Sequence, residues 1–210
     1  LVCVSKARQL DEIYRALDAR IAIIGESRIQ EAELKIDAIK RYVARKDLTC
    51  SFHMIGHLQT NKAAKAVELF DAIQSVDSVR LCEKIHSLSE RAGIKKEILI
   101  EVNVSGEKSK FGVSREELLP LLKKANALEG ICVKGLMTIA PYSDDKEAAR
   151  PYFRSLRQTF DHINELRVHD PRLSRIKMEY CSMGMSADYE VAVQEGSTMV
   201  RIGSAIFEGA

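Results

Sequence analysis

Short apolar runs alternate along the chain with longer stretches of helical period. The first run covers residues 1–6. The stretch after it, 9–19, sets Leu10, Ile13, Tyr14 and Leu17 on one face at i, i+3, i+4 and i+7, the spacing of an amphipathic helix. A second run, 21–25, leads into a long amphipathic stretch over 28–45, and a third, 51–56, into one over 61–70. The fourth run is 72–76. Asp77 or Ser78 is placed to cap the helix that follows, and Gly93 to stop it. The fifth run, 97–104, reads most clearly as a strand. Ser114 then opens SREELL, a capping box, and a helix to about 128. The sixth run, 131–139, precedes a helix over 146–166. The seventh, 176–181, precedes a short helix over 187–195. The eighth, 199–202, is expected to extend toward 207.

Strands that alternate with helices pair in parallel through right-handed crossovers. Eight such units in 210 residues predict a single α/β domain over 1–210, a (β/α)8 TIM barrel. The rival, an open doubly wound sheet, normally carries GxGxxG in its first turn, and that motif is absent. Charged residues make up 30% of the chain but cancel to a net +2 with no single-sign block. Neither nucleic acid nor a membrane surface is therefore expected as a partner. No apolar run is long enough to span a bilayer. The five cysteines include no CxxC pair, and Cys3, Cys132 and Cys181 lie in apolar runs. They read as reduced core thiols in a cytoplasmic setting. The chain opens on LVCVSK without an initiator Met, so its start is expected to lie inside a longer protein.

Polar residues and glycines collect at the C-terminal ends of the predicted strands, the end where barrel active sites are built, although strand ends also lie near polar loops in any fold. Lys6 follows Leu1-Val2-Cys3-Val4, so its amine is expected at the barrel mouth among low-dielectric walls, which favour the neutral amine a Schiff base needs. Spacing alone favours the simpler alternative of a lysine snorkelling to solvent. Ser182-Met183-Gly184-Met185-Ser186 and Gly203-Ser204-Ala205 follow the last two strands, where barrels often hold phosphate. Arg201 sits inside the eighth run. It either meets a ligand or pairs with a carboxylate on a neighbouring strand. A lysine for an aldehyde, loops for a phosphate and an arginine for a ring nitrogen would suit a pyridoxal cofactor. A barrel aldolase with a Schiff-base lysine would use similar parts. His53 and His57 stand at i, i+4 but are split by Gly56 at a strand-to-helix change, so no metal site is expected. HExxH and GxSxG are absent.

At these residues the chain resembles the family of pyridoxal phosphate homeostasis proteins. The matching segments are VSK at 4–6, GESRIQE at 25–31, FHMIGHLQTNK at 52–62 and SVDS at 75–78. VNVSGEKSKFG at 102–112, GLMTIAP at 135–141 and SMGMSADYEVAVQEGSTMVRIGSAIF at 182–207 complete them. The resemblance runs the length of the chain. It implies a fold-type III barrel like the N-terminal domain of alanine racemase, binding pyridoxal 5'-phosphate (PLP). Lys6 would be the Schiff-base lysine and Arg201 would face the pyridine nitrogen. Ser182, Met183, Gly203 and Ser204 would bind the phosphate. Ser27 stands where the family often has Asn, which puts a ring contact there in question.

The implied function is PLP homeostasis, as a carrier or regulator with no assigned catalytic residue. The alternative is a PLP-dependent amino-acid racemase of weak or lost activity. Racemases of this fold need a second acid–base group on the opposite face of the cofactor, brought by a partner's C-terminal β-domain. This chain ends with the barrel, so a monomeric carrier is expected, with PLP-dependent apo-enzymes as partners for delivery. The loop 105–112, with Lys108 and Lys110, has no assigned role.

Overall fold

The computed structural model describes residues 1–107 and 109–208. The elements are β1 (Val2–Val4), α1 (Leu10–Asp18), β2 (Ile23–Glu26), α2 (Ile29–Arg45), β3 (Ser51–Met54), α3 (Ala63–Leu69), β4 (Ala72–Val76) and α4 (Val79–Arg91). They continue as β5 (Lys96–Glu101), α5 (Arg115–Asn126), β6 (Ile131–Met137), α6 (Arg150–His169), β7 (Tyr180–Ser182), α7 (Tyr189–Gln194), β8 (Arg201–Ile202) and α8 (Ser204–Phe207). The strands form one parallel sheet in the order β7-β6-β5-β4-β3-β2-β1-β8. A parallel bridge between Ser182 and Met199, with the Met183 N–H donating to the Met199 carbonyl at 3.0 Å, brings its two ends together as a barrel.

The hydrophobic residues divide into two clusters, as a barrel requires. The larger lies between strands and helices, where Cys3, Ile24, Phe52, Ile73, Ile98 and Leu136 meet Ile13, Ile36, Leu81, Leu122 and Phe153. A small inner cluster of Val2, Ile55 and Met199 plugs the barrel, with Val4 and Tyr180 against it. Along β1, Val2 and Val4 face inward and Cys3 outward, the alternation that strand geometry imposes.

Local signals act where expected. The Ser78 hydroxyl accepts the Leu81 N–H, and Gly93 beyond α4 adopts φ +66°. Ser114 and Glu117 complete a reciprocal capping box. The eighth run departs from expectation. The strand ends at Ile202, and the chain turns at Gly203 into α8, laying Ile206 and Phe207 against the outer cluster. The fifth strand likewise stops at Glu101, because Val102 bridges to Val113 across the following loop. All five cysteines are free. Burial pushes Cys3 up to about 11 and Cys82 and Cys181 up to about 12, as suits core thiols, whereas Cys132, expected in the core, is half-buried. No helix among the described residues is long and apolar enough to cross a membrane.

Candidate functional site

At the C-terminal rim of the strands lies a cavity of about 460 Å³. Lys6, Ser27, Arg201, Gly203 and Ser204 line it, so the fold gathers five of the seven residues singled out from the sequence. Val4, Ile55 and Ile139 supply apolar wall, and Arg8, Met185, Ser186 and Ala187 complete the lining. Gly56 lets the loops after β2 and β3 meet here, since a Cβ on it would lie 2.2 Å from the Ser27 carbonyl oxygen.

Lys6 is exposed rather than walled in. It stands two residues beyond the end of β1, on a turn closed by the Arg8 N–H donating to the Ser5 carbonyl at 3.1 Å. The turn lifts the side chain past the strand ends that would have enclosed it.

Arg201 is 3% exposed. Its Nη1 donates to the Ser182 hydroxyl at 2.8 Å and its Nη2 to the Thr138 carbonyl at 2.9 Å. These oxygens are neutral, and no ion pair to Arg201 forms among the described residues, so the expected alternative of a structural ion pair is not what holds it. Burial lowers its pKa to about 10, against the attraction of Glu101 and Asp188, which leaves it charged at neutral pH. A buried guanidinium with two neutral partners and a face on the cavity has donors left for an acceptor there.

Ser182 and Met183 lie behind Arg201, fully buried, and do not line the cavity. The Ser182 hydroxyl donates to Gln74 Oε1 at 2.7 Å, and the Met183 N–H is taken by Met199. Their groups are used inside the barrel. The neighbouring turn reaches the cavity through Met185, Ser186 and Ala187 instead. The Ser186 hydroxyl accepts the N–H groups of Gly203 at 3.1 Å and Ala205 at 3.5 Å, tying the last two rim loops together.

Behind Arg201 the bonds continue through Gln74, which strand-end reasoning did not select, to His53, which the sequence offered only as a rejected metal ligand. The Gln74 amide donates to His53 Nδ1 at 2.8 Å, and His53 Nε2 stands 3.1 Å from the Ser51 hydroxyl. Burial holds the His53 pKa down at about 4, so the imidazole is neutral. Glu101 also lies in this interior, and burial, aided by Asp77, pushes its pKa up to about 7. His57 points elsewhere, stacked on Phe111 at 3.6 Å and 3.5 Å from Asp77. In the loop 105–112, the Asn103 side chain donates to the Glu107 and Lys110 carbonyls, and Lys110 pairs with Glu107. Lys108 lies outside the described residues.

A model of the family "Alanine racemase, N-terminal domain" matches residues 1–210. A pyridoxal phosphate homeostasis protein of Aquifex aeolicus is 38% identical over 207 residues, covering 99% of this chain and 85% of that protein. The structure of PipY from Synechococcus elongatus PCC7942 with PLP bound superposes with a TM-score of 0.82 at 32% identity, covering 98% of this chain and 91% of that one. An alanine racemase from Clostridium difficile 630 superposes with a TM-score of 0.72 at 17% identity, covering 98% of this chain and 53% of that one, a likeness of fold alone.

Proposed function

This chain belongs to the alanine racemase N-terminal-domain family, and we propose that it is a PLP-binding protein of PLP homeostasis that holds the cofactor as a Schiff base on Lys6. The relatives that match nearly all of it carry that name, and PipY binds PLP. When bound, PLP supplies an aldehyde carbon open to amine attack and an electron-withdrawing ring. Lys6 offers its amine at the cavity rim. Arg201 would hold the ring nitrogen with a donor-only charge, which would disfavour ring protonation and leave the ring a weaker electron sink than a carboxylate partner would. Ser204 and Ser186 would offer hydroxyls to the phosphate beside Gly203, whose N–H is held by Ser186, and Ser27 faces the same space.

One observation carries the reading that this site holds PLP more than it transforms substrates with it. Lys6, Arg8 and Arg201 are the titratable groups among the described lining residues. The two arginines stay protonated at neutral pH, which leaves Lys6 to do any acid–base work. Racemisation needs a proton donor and acceptor on opposite faces of the cofactor. Five unpaired thiols suit a reducing compartment such as the cytoplasm, where loaded protein would deliver PLP to apo-enzymes.

Protein mixed with PLP should develop a near-visible Schiff-base absorbance that borohydride bleaches and Lys6→Ala lacks. Absence of that band in the wild type refutes the reading. Solvent isotope exchange at the α-carbon of amino acids, well above the rate with free PLP, would replace the carrier by the racemase.

A further inference from the structure

Glu26, and Glu31 and Lys35 in the first two turns of α2, lie outside the cavity lining, yet all three converge on the turn that carries Lys6. Ala7, at the third position of the Ser5–Arg8 turn, has φ +58°. That is the left-handed region, which a residue with a Cβ adopts only where its surroundings impose it. The Ala7 N–H donates to Glu31 Oε2 at 3.0 Å. Lys35 Nζ donates to the Ser5 carbonyl at 2.8 Å and to Glu26 Oε1 at 3.0 Å, and the Ser5 hydroxyl donates to that same oxygen at 2.6 Å. The carbonyl before Lys6 and the amide after it are thus each held by a charged side chain. Glu31 and Lys35 stand one turn apart on α2, with 3.8 Å between their charged atoms. Glu26 and the Lys35 side chain are buried enough that salt screens their attraction weakly.

We propose that Glu31 and Lys35, the latter anchored by Glu26, are positioning residues for Lys6, clamping a strained turn so that the amine is presented to the cavity. Helix α2 thereby acts on the site without entering it. This rests on the reading of Lys6 as the Schiff-base residue. It also gives Glu26 and Glu31 of GESRIQE a task that contact with the cofactor does not supply.

The test uses the cofactor-free protein and free PLP. Glu31→Leu removes the acceptor for the Ala7 amide, and Glu31→Gln keeps one. Lys35→Met removes the donor to Ser5, and Lys35→Arg keeps one. In Glu31→Leu and Lys35→Met, Schiff-base formation followed by stopped-flow absorbance should slow by about tenfold or more, as expected when a reacting group is misplaced. Hydrogen exchange in the unloaded protein should show the Ala7 and Arg8 amides losing protection. Glu31→Gln and Lys35→Arg should recover most of both. If Lys35→Met leaves the buried Glu26 unpaired and fails to fold, the Glu31 pair decides, because that carboxylate is partly exposed. Folded Glu31→Leu with wild-type rate and exchange overturns the proposal. A borohydride-trapped adduct that persists in Lys6→Ala overturns the underlying reading instead, so the two failures are distinct.

Discussion

Replacing Glu101 by glutamine should stabilise the cofactor-free protein strongly at pH 8 and much less at pH 5. Glu101 ends β5 inside the barrel with 5% exposure. Burial chiefly, and then Asp77, raise its pKa from 4.5 to about 7, while Arg201 pulls the other way. Between those values the folded state keeps a proton that the unfolded state has released. Stability therefore falls as pH rises through the window, and the loss is complete above about 7. At about 1.36 kcal/mol per pH unit, the interval from 4.5 to about 7 amounts to about 3 kcal/mol. Glutamine has nearly the same shape and cannot ionise, so it removes that loss. Urea unfolding followed by far-UV circular dichroism, at pH 5 and pH 8, measures the difference. In heating experiments the gain at pH 8 corresponds to roughly 6–12 °C for a domain of this size. His53 has the opposite sign. Its folded value of about 4 lies below the ordinary 6.5, so its contribution is lost as pH falls from 6.5 toward 4. It is present in both proteins and drops out of the comparison. Equal gains at both pH values, or a less stable variant at pH 8, would refute the argument.

Gly56→Ala should force apart the two rim loops that touch at Ser27, because the new Cβ would meet backbone at 2.2 Å. A destabilisation of about 1–3 kcal/mol in urea and weaker PLP binding by titration are expected. Gln74→Leu should leave His53 Nδ1 and the Ser182 hydroxyl without their buried partner. It should cost about 1–3 kcal/mol, and with Arg201 less firmly held it should also shift the absorbance of the loaded protein.

The architecture was legible because it rests on local periodicity. Eight apolar runs separated by amphipathic stretches leave few topologies open, and the Ser78 and Ser114 caps and the Gly93 stop are signals within a few residues. The site was legible where it depends on strand ends, which is why Lys6, Ser27, Arg201, Gly203 and Ser204 meet in one cavity. It was not legible where inward and outward directions shift at the rim. Ser182 belongs to the barrel interior, and the Met183 amide pairs with Met199, so Met185, Ser186 and Ala187 take the lining positions. Gln74 and Glu101 went unselected, and His53 was weighed as a metal ligand, because the chain that joins them to Arg201 runs through Ser182, far away in sequence. The turn at Gly203 was missed because Ile206 and Phe207 suit a strand as well as a helix packed on the outer cluster.

The bonds behind Arg201 all run one way. A guanidinium can only donate hydrogen bonds, so the Ser182 hydroxyl accepts one from it and donates its own to Gln74 Oε1. The Gln74 amide must then face His53 with its nitrogen, so the imidazole carries its proton on Nε2, toward Ser51. The residue at 201 thus dictates the tautomer of a histidine on the far side of the barrel. An acceptor in that place would require the hydroxyl to rotate, the amide to flip and the imidazole to exchange tautomers together. These side chains form a wire of fixed polarity, and a change of donor to acceptor at its cavity end would be felt at β3 even if the backbone stayed where it is.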